Sequence, residues 1–378
     1  AINGDTGAMR IGIDARFYGP IGKGLGRYTA KLIEHLAETA DAHAYRIYLR
    51  RENFSDYTPP DARITKVLAP YSWYSFEEQI RFPLQLLREP IDLMHFPHFN
   101  VPLLYRRPFI VTIHDLILTR FPTRRATTLG SVAYAAKRKA YDVAIRSALH
   151  RAKHILTVSQ YSKQQIQNHF PEVPPAKIIV TYEGVDDLAT RSDAALPEKY
   201  PERYFLYVGN AYPHKNLERL LEAFALFAKS TQDVSLVLVG KPDYFYDRLE
   251  QHAKKLGIAG KVVFAGYVDD KTLAALYQHA ISYVIPSLEE GFGLPPLEAM
   301  QYKTPVISSR ASCMPEILGK GAVYFDPLNI QDIANSMQHI LEDDRLRNDV
   351  VTRGSTEVLP RYSWKKMAKE TKALYTNT

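Results

Sequence analysis

Short runs of apolar residues alternate with segments of helical period along the whole chain. In the first half, this pattern predicts buried strands at residues 9–14, 45–49, 92–96, 109–114, 154–159 and 178–182. Apolar positions recur about every 3.6 residues in 28–38 and 162–169, which predicts helices there. Strands that alternate with helices are typical of a parallel sheet covered by helices on both faces.

A second series of strands follows in the other half of the chain, at residues 204–209, 234–240, 261–268, 282–287, 305–309 and 322–326. Between the two series, 183–203 is rich in Asp, Ala and Pro and has no periodicity, so we place a linker there. We therefore predict an α/β protein of two doubly wound, Rossmann-like domains, 9–185 and 200–358, facing across a cleft. Ligands of such sheets bind outside the carboxyl ends of the strands. We expect 359–378 to form a C-terminal helix that crosses back to the first domain.

Composition supports this division and restricts the class of protein. A chain of 378 residues exceeds what one core usually supports, and 46% hydrophobic with 24% charged residues is typical of a globular protein. The single cysteine, Cys313, excludes an internal disulfide framework and favours a reducing, cytoplasmic location. No apolar run approaches the roughly 18 residues of a membrane span. Residues 1–8 lack the apolar region of a leader, so we take Met9 as the native start.

The net charge of +7 is concentrated in one segment, residues 101–165. That segment has two aspartates and twelve basic residues: Arg106, Arg107, Arg120, Arg124, Arg125, Lys137, Arg138, Lys139, Arg146, Arg151, Lys153 and Lys163. A solvated helical face is one interpretation. The other is an anionic membrane surface, because aromatic residues interleave with the charges and crowd just upstream at 71–87. This mixture favours a peripheral membrane contact over a nucleic-acid groove.

The most specific stretch is 286–305, where a strand, a glycine-containing loop and a helix opened by two prolines follow one another. Free N–H groups at 291–294 and the helix N-terminus form a receptor for phosphate oxygens. Glu298, which we expect in the first helical turn, can accept hydrogen bonds from a ribose diol, and Glu290 can face the group attached to the phosphate. The alternative is that both carboxylates only complement the helix dipole.

A second element lies at residues 207–224. Gly209 ends a strand, and Lys215 lies at the start of the next helix, where its charge could offset a diphosphate. An ordinary exposed lysine is the alternative.

Together these residues resemble the retaining glycosyltransferases of family 4, which have the GT-B fold. The resemblance covers residues 9–378. It rests on Glu290 and Glu298 with seven residues between them, the block VGNAYPHKNLERLLEAF, the segment VFAGYV, and the N-terminal segments GKGLGRYT and TIHDL.

The resemblance implies a role for each matching position. Catalytic roles fall to Glu290 beside the transferred sugar, His114 facing donor sugar and acceptor, and Lys215 on the diphosphate. The implied donor-binding residues are Gly24, Gly26, Gly209, Asn210, Lys215, Gly266, Tyr267, Val268, Gly291, Phe292, Gly293, Leu294 and Glu298. Within this set the backbone of 266–268 holds the base, and Glu298 the ribose. Many members carry an arginine where Asn210 stands, which leaves Arg16, Lys23 and Arg27 as candidates for the second cation.

The activity that the resemblance implies is transfer of a hexose, with retention, from a nucleotide diphosphate sugar to a hydroxyl group. We expect no cofactor and no metal, with the leaving diphosphate helping to deprotonate the acceptor. GDP-mannose is the preferred donor and UDP-glucose or another UDP-sugar the next. The expected acceptor is a glycan, either lipid-linked or a polysaccharide precursor. A noncatalytic nucleotide-sugar or glycan-binding protein and a GT-B epimerase remain the alternatives.

Three other motifs would indicate a different kind of site, but the sequence supports each of them only weakly. The glycines at 22, 24 and 26 have the wrong spacing for a dinucleotide fingerprint. His95 and His98 have metal-like spacing, but the sequence suggests no third ligand, which favours a structural or substrate-contact role. His114 and Asp115 are adjacent, so on a strand they point to opposite faces and do not form a direct pair.

Overall fold

The computed structural model describes residues 8–39, 42–121, 131–186 and 195–376. The chain divides into two compact units. The first contains the described residues of Ala1–Thr119, Leu129–Gly184 and Ser363–Thr378, and the second those of Arg120–Thr128 and Val185–Tyr362. Part of the predicted linker, 187–194, lies outside the described residues, as do Arg124 and Arg125 of the basic segment.

The first unit is built on a parallel sheet of seven strands. These are β1 (Arg10–Asp14), β2 (Ala44–Leu49), β3 (Ile64–Leu68), β4 (Leu93–Phe96), β5 (Phe109–Ile113), β6 (Ile155–Thr157) and β7 (Ile178–Val180). Their order is β3-β2-β1-β4-β5-β6-β7, and all the pairings are parallel. The six predicted strands are confirmed. Strand β3 is an additional edge strand, which the sequence pattern missed because only Ile64 of its five residues is buried.

The helices of the first unit are α1 (Lys23–Ala37), α2 (Phe76–Arg88), α4 (Ser131–Arg151), α5 (Gln160–His169) and the C-terminal α13 (Trp364–Thr376). The short α3 (Ile117–Arg120) has no buried residue, and its last residue is assigned to the second unit. The side chains of Ser75 and Ser159 cap α2 and α5 by accepting a backbone N–H from the first turn. Helix α13 packs against α1. Its Tyr375 hydroxyl lies 2.8 Å from Nδ1 of the buried His95 on β4, which fixes the end of the chain to the sheet.

The second unit has a parallel sheet of six strands: β8 (Tyr204–Val208), β9 (Ser235–Val239), β10 (Val262–Gly266), β11 (Ser282–Ile285), β12 (Val306–Ser309) and β13 (Val323–Phe325). Their order is β10-β9-β8-β11-β12-β13. The helices are α6 (Leu217–Phe227), α7 (Tyr244–Lys255), α8 (Asp270–His279), α9 (Leu294–Gln301), α10 (Met314–Leu318), α11 (Ile330–Glu342) and α12 (Asp344–Arg353). All six predicted strands are present.

The strand order fixes where a ligand can bind in the second unit. From β8, the chain adds β9 and β10 on one side and β11, β12 and β13 on the other. The loops that leave the carboxyl ends of β8 and β11 therefore diverge and open a crevice between them, which is the usual ligand position in such sheets. Among the described residues, no helix has the length and apolar character needed to cross a membrane.

Candidate active site

The loop after β8 is held in place by neighbouring tyrosines. Gly209 has φ of +155°, and a Cβ there would lie 2.7 Å from the Tyr207 hydroxyl, so only glycine fits. The Tyr207 hydroxyl donates to the Asn210 carbonyl at 2.7 Å, and the Tyr246 hydroxyl donates to the Gly209 carbonyl at 2.7 Å. The backbone at Gly209 and Asn210 is therefore fixed before any ligand arrives.

Two of the predicted site residues, Lys215 and Glu290, form a buried ion pair. The Lys215 Nζ donates to Glu290 Oε1 at 2.7 Å and to Oε2 at 2.8 Å. The Ser287 hydroxyl donates to Glu290 Oε1 at 2.7 Å, and Glu290 is only 8% exposed. Burial opposes ionisation of this carboxyl, but the charge and hydrogen bonds of Lys215 outweigh it and lower the pKa of Glu290. The Glu290 carboxyl group is therefore ionised at neutral pH.

The surroundings of this pair are neutral. Burial raises the pKa of Tyr207 and Tyr283 well above their ordinary value, so both stay protonated. Burial lowers the pKa of His214 to about 4, with a further lowering by the adjacent Lys215 charge. The His214 carbonyl accepts the Leu288 N–H at 2.8 Å, which joins the loops after β8 and β11.

The loop 291–294 leads into α9 as predicted. Gly293 is the N-cap residue with φ of +89°, and a Cβ there would lie 2.6 Å from Cε of Met314. Proline has no N–H, so Leu294 and Leu297 are the backbone donors among the first four residues of α9. These two N–H groups have no intrahelical acceptor, which makes them available to an anion. The ring of Phe292 is buried edge-on against Tyr362, 5.2 Å between centroids, so this side chain supports the loop from the core.

Glu298 lies one turn further into α9 than predicted. The helix begins at Leu294, one residue before the two prolines, so Glu298 is its fifth residue and not part of the first turn. The Tyr277 hydroxyl donates to Glu298 Oε2 at 3.0 Å. Tyr277 is buried and Glu298 half-buried, so this bond fixes one carboxylate oxygen. The sequence did not predict the contribution of Tyr277.

Gly266 ends β10, and Tyr267 and Val268 follow it at the carboxyl edge of the same sheet. Gly266 has φ of +69°, and its carbonyl accepts the Gly240 N–H at 3.1 Å. The Tyr267 side chain is 82% exposed, and Val268 is half-buried. The backbone of residues 266–268 is therefore not covered by a buried side chain of this segment.

Gly24 and Gly26, which the resemblance places near the diphosphate, lie in α1. A Cβ at Gly26 would lie 2.0 Å from the Gly19 carbonyl oxygen, so this glycine allows α1 to pack on the preceding loop. A Cβ at Gly24 would meet no atom within 4 Å. Of these two glycines, Gly24 is therefore the one whose surface is not covered by other residues.

His114 follows β5 and is held by two acceptors. Its Nε2 lies 3.0 Å from the Pro97 carbonyl oxygen and its Nδ1 3.2 Å from Glu183 Oε1. These two contacts, one on each ring nitrogen, fix the orientation of the imidazole. The Tyr28 ring packs edge-on against the imidazole at 4.6 Å. Glu183 was not predicted, because it falls in the segment assigned to the linker.

Asp115 does not pair with His114, as expected, but accepts the Ile117 N–H at 2.9 Å. A cavity of about 70 Å³ adjoins His114 in the first unit. Its lining comprises His98, Phe99, Thr112, Ile113, His114, Asp115, Leu118 and Tyr141.

Arg16 is not available as a second cation for a diphosphate. It is fully buried, and its Nη2 lies 2.7 Å from both Asp14 Oδ2 and Glu78 Oε1. Arg16 was a candidate for a diphosphate-binding cation. Its charge instead neutralises the buried carboxylates of Asp14 and Glu78. Of the other candidates, Arg27 is half-buried on α1, and the Lys23 side chain lies outside the described residues.

His95 is buried and His98 half-buried, and both are neutral because desolvation lowers the pKa of each to about 3. His95 lies 2.8 Å from both the Tyr375 and Thr112 hydroxyls. His98 Nδ1 lies 2.9 Å from Asn100 Oδ1. In the described part of the chain, no three His, Cys, Asp or Glu side chains group as metal ligands.

Comparison with known proteins identifies the family. Residues 22–187 match the model of Glycosyltransferase Family 4, and residues 189–356 match that of Glycosyl transferases group 1. The chain belongs to the family 4 glycosyltransferases. The two matches together cover both series of strands.

Curated relatives of this glycosyltransferase include the O-antigen chain mannosyltransferase RfbU of Salmonella typhimurium, 29% identical over 92% of this chain and 94% of that protein. The O-antigen chain mannosyltransferase B of Escherichia coli is also 29% identical, with the same coverage. Among solved structures, Anabaena HepE in complex with UDP-glucose has a TM-score of 0.72 at 16% identity, covering 98% of this chain and 100% of that chain. The fold is thus GT-B, as the sequence predicted.

Proposed function

We propose that this glycosyltransferase moves a mannosyl residue from GDP-mannose to a hydroxyl of a lipid-linked or polysaccharide-precursor glycan, with retention and without a metal ion. The observation that carries the proposal is the buried Lys215–Glu290 pair between the loops after β8 and β11. Two relatives with full-length coverage are mannosyltransferases of O-antigen chains, which favours mannose as the sugar.

The donor diphosphate occupies the start of α9 in this proposal. The free N–H groups of the first turn and the Lys215 ammonium supply positive charge at that position. Glu298, with one oxygen held by Tyr277 at 3.0 Å, accepts the ribose hydroxyls. Glu290 accepts hydroxyl groups of the transferred sugar.

Retention follows a front-face route in this proposal. Double displacement requires a free carboxylate nucleophile close to the anomeric carbon. Glu290 accepts from Ser287 and is assigned here to the hydroxyl groups of the transferred sugar, so it is not free to act as this nucleophile. We therefore assign deprotonation of the acceptor to the leaving diphosphate, whose charge Lys215 and the α9 N–H groups stabilise.

The nucleotide base is the first point to test. HepE was solved with UDP-glucose, so a UDP-sugar is the competing donor. Thermal shifts with GDP, UDP and ADP should rank the bases, because a ligand at 100 times its Kd stabilises a protein by about 2.7 kcal/mol. A larger shift with UDP than with GDP would replace GDP-mannose by a UDP-sugar.

The reaction is tested with GDP-mannose and a lipid-linked glycan acceptor. GDP release that requires acceptor, with an α-linked product from the α-linked donor, supports retaining transfer. Release without acceptor, or an altered sugar nucleotide with donor alone, would instead indicate hydrolysis or epimerisation. Donor binding without any product would indicate a noncatalytic protein.

We further propose that the basic segment 101–165 attracts an anionic membrane that presents the acceptor. Lys137, Arg138 and Lys139 are consecutive exposed residues of α4. Each basic residue near such a surface contributes about 1 kcal/mol, screened beyond a Debye length. Replacing all three with Ser should weaken binding to anionic vesicles at low salt. Unchanged binding would indicate that these three residues belong to an ordinary solvated helical face.

A further inference from the structure

The proposed reaction assigns no role to His98, the second histidine of the segment MHFPHF. This histidine follows β4 by two residues, and His114 directly follows the neighbouring parallel strand β5. Both side chains line the cavity of about 70 Å³ in the first unit. His98 therefore lies at the carboxyl edge of the sheet, where ligands of such sheets bind.

Asn100 determines which nitrogen of His98 carries the proton. The Asn100 Nδ2 donates to Glu78 Oε1 at 2.7 Å, and its Oδ1 lies 2.9 Å from His98 Nδ1. The opposite orientation of the amide would place its oxygen against a carboxylate oxygen, so Oδ1 accepts and His98 Nδ1 donates. Desolvation lowers the pKa of His98 to about 3, which keeps the ring neutral. Its Nε2 therefore carries a lone pair.

A buried network of charges holds Glu78, the anchor of this arrangement. Glu78 is fully buried, its Oε1 also accepts from Arg16 Nη2 at 2.7 Å, and its Oε2 accepts the Tyr74 N–H at 2.7 Å. The same Arg16 nitrogen donates to Asp14 Oδ2 at 2.7 Å. Asn100 itself is only 4% exposed. Because satisfied networks of this kind are rigid, the orientation of the imidazole is set before a ligand binds.

Aromatic rings surround the other sides of His98. The ring centroids of Phe99 and Phe17 lie 4.1 Å and 5.2 Å from that of the imidazole, and that of Tyr74 lies at 6.2 Å. Tyr141, which also lines the cavity, packs edge-on against Phe99 at 4.8 Å. Aromatic faces carry partial negative charge, which attracts polarised C–H groups such as those of a sugar ring. Among the described residues, none donates a hydrogen bond to Nε2.

We propose that His98 binds the glycan that receives the sugar, with Nε2 accepting a hydrogen bond from one of its hydroxyl groups. The cavity of about 70 Å³ is much smaller than the roughly 300–1,000 Å³ of a pocket that encloses a whole ligand, so it takes one edge of a sugar. A carboxylate or a fully ionised phosphate has no proton to donate to the lone pair, so this position selects a neutral hydroxyl. Asn100 acts through His98 and is a positioning residue.

This inference rests on the proposed function for the identity of the ligand. The tautomer of His98 and its contact with a sugar hydroxyl, however, require neither the nucleotide donor nor turnover. Both can therefore be measured on the protein without GDP-mannose, and calorimetry with GDP-mannose reports the proposed function separately.

The first experiment records ring ¹⁵N shifts of the full chain labelled with ¹⁵N-histidine, and the spectrum of His98→Asn assigns the His98 signals. We expect Nδ1 to be protonated and Nε2 unprotonated, and we expect Asn100→Ala to produce a mixture of the two tautomers. The ring of His169, whose Nδ1 lies 2.9 Å from the Gln165 carbonyl oxygen, is the internal control and should not change. A protonated Nε2 in the wild type, or an unchanged tautomer in Asn100→Ala, would overturn the proposal.

The same labelled protein is then titrated with the methyl glycosides of mannose, galactose and N-acetylglucosamine at millimolar concentrations. At least one of them should move the Nε2 signal of His98 and leave that of His169 in place. No change of Nε2 with any of the three would contradict a contact with a sugar hydroxyl.

The second experiment measures transfer from GDP-mannose to the glycoside with the largest effect. His98→Asn keeps a donor for Asn100 but has no atom at the position of Nε2, so it should raise the KM for the glycoside about tenfold. The Kd for GDP-mannose and the melting temperature should stay near those of wild type. His98→Gln, whose longer amide can present an oxygen at that position, should recover part of the loss. His169→Asn is the matched control, since His169 is a half-buried histidine of the same unit that does not line the cavity. An unchanged KM in His98→Asn, or an equal loss of donor affinity, would refute the assignment.

Discussion

Removing Lys215 should leave the Glu290 carboxylate buried without its cation. Breaking a buried ion pair from one side usually costs about 3–5 kcal/mol of folding free energy. We expect Lys215→Ala to fall at the lower end, about 3 kcal/mol, because the Ser287 hydroxyl still donates to Glu290 at 2.7 Å. Glu290→Gln should cost less, roughly 1–2 kcal/mol, because the Lys215 side chain is 15% exposed and can turn toward water.

The pH dependence of this loss follows from the sign of the shift. In the wild type the pKa of Glu290 is lowered on folding, so its contribution is present above the unfolded pKa and is lost as pH falls through the folded value. Without Lys215 only burial and the remaining hydrogen bonds act, and burial raises the pKa of a carboxyl group. The stability difference between wild type and Lys215→Ala should therefore widen as the pH rises from about 4 to 7.

Urea unfolding followed by far-UV circular dichroism measures these free energies. The dichroism is needed because both tryptophans, Trp73 and Trp364, lie in the first unit. Lys261→Ala is the control, since Lys261 Nζ binds Gln232 Oε1 and no carboxylate, and its cost should not change with pH. In the double variant Lys215→Ala/Glu290→Gln we expect a coupling of about 2 kcal/mol. Additivity within about 0.5 kcal/mol at neutral pH would refute the reasoning.

Four further outcomes are expected. Glu298→Ala should weaken donor binding measured by calorimetry, by roughly 1.5–3 kcal/mol, because a ribose diol loses a charged acceptor; an unchanged Kd would remove Glu298 from this role. Activity should persist in excess EDTA, and loss that Mg²⁺ restores would contradict metal independence. Gly293→Ala should lower the melting temperature and donor affinity together, because φ is +89° and its Cβ would lie 2.6 Å from Met314 Cε, a strain of about 1–3 kcal/mol. Glu183→Gln should lower kcat about tenfold with little change in melting temperature, because the Glu183 carboxylate lies 3.2 Å from His114 Nδ1 and orients the ring; an unchanged kcat would remove Glu183 from this role.

The sequence predicted the architecture because buried parallel strands have a strong local signal. Every strand of the second unit except its short edge strand β13 holds at least four residues, and Leu236, Val237 and Leu238 of β9 are completely buried. The edge strand β3 was not predicted, because Thr65 is exposed and Lys66 half-buried, and these polar residues interrupt the run of apolar residues that marks a buried strand. Helix α2 did carry a signal that we did not use, Ser75 followed three residues later by Glu78, and Ser75 indeed caps the helix.

The sequence could name candidate site residues, but it could not predict the contacts between them. The loop glycines and Glu290 follow from the strand, loop and proline pattern around α9. The partner of Glu290, however, lies 75 residues away, and the partner of His114 lies 69 residues away. Local patterns carry no information on such pairings. Arg16 is a further example. Only the folded structure shows that its guanidinium group is paired with Glu78, which lies 62 residues away in the sequence.

The charges of Lys215 and Glu290 offset each other in the candidate site, and this has a consequence for donor binding under the proposed function. A buried lysine alone would be costly, and so would a buried glutamate, whereas the pair with Ser287 satisfies both. A diphosphate that takes Lys215 must release Glu290, which then needs new donors in place of the ammonium. The hydroxyls of the transferred sugar are such donors, and a nucleoside diphosphate without the sugar lacks them. The pair therefore couples recognition of the sugar to recognition of the diphosphate, so that the intact donor is favoured over the nucleotide product that must leave.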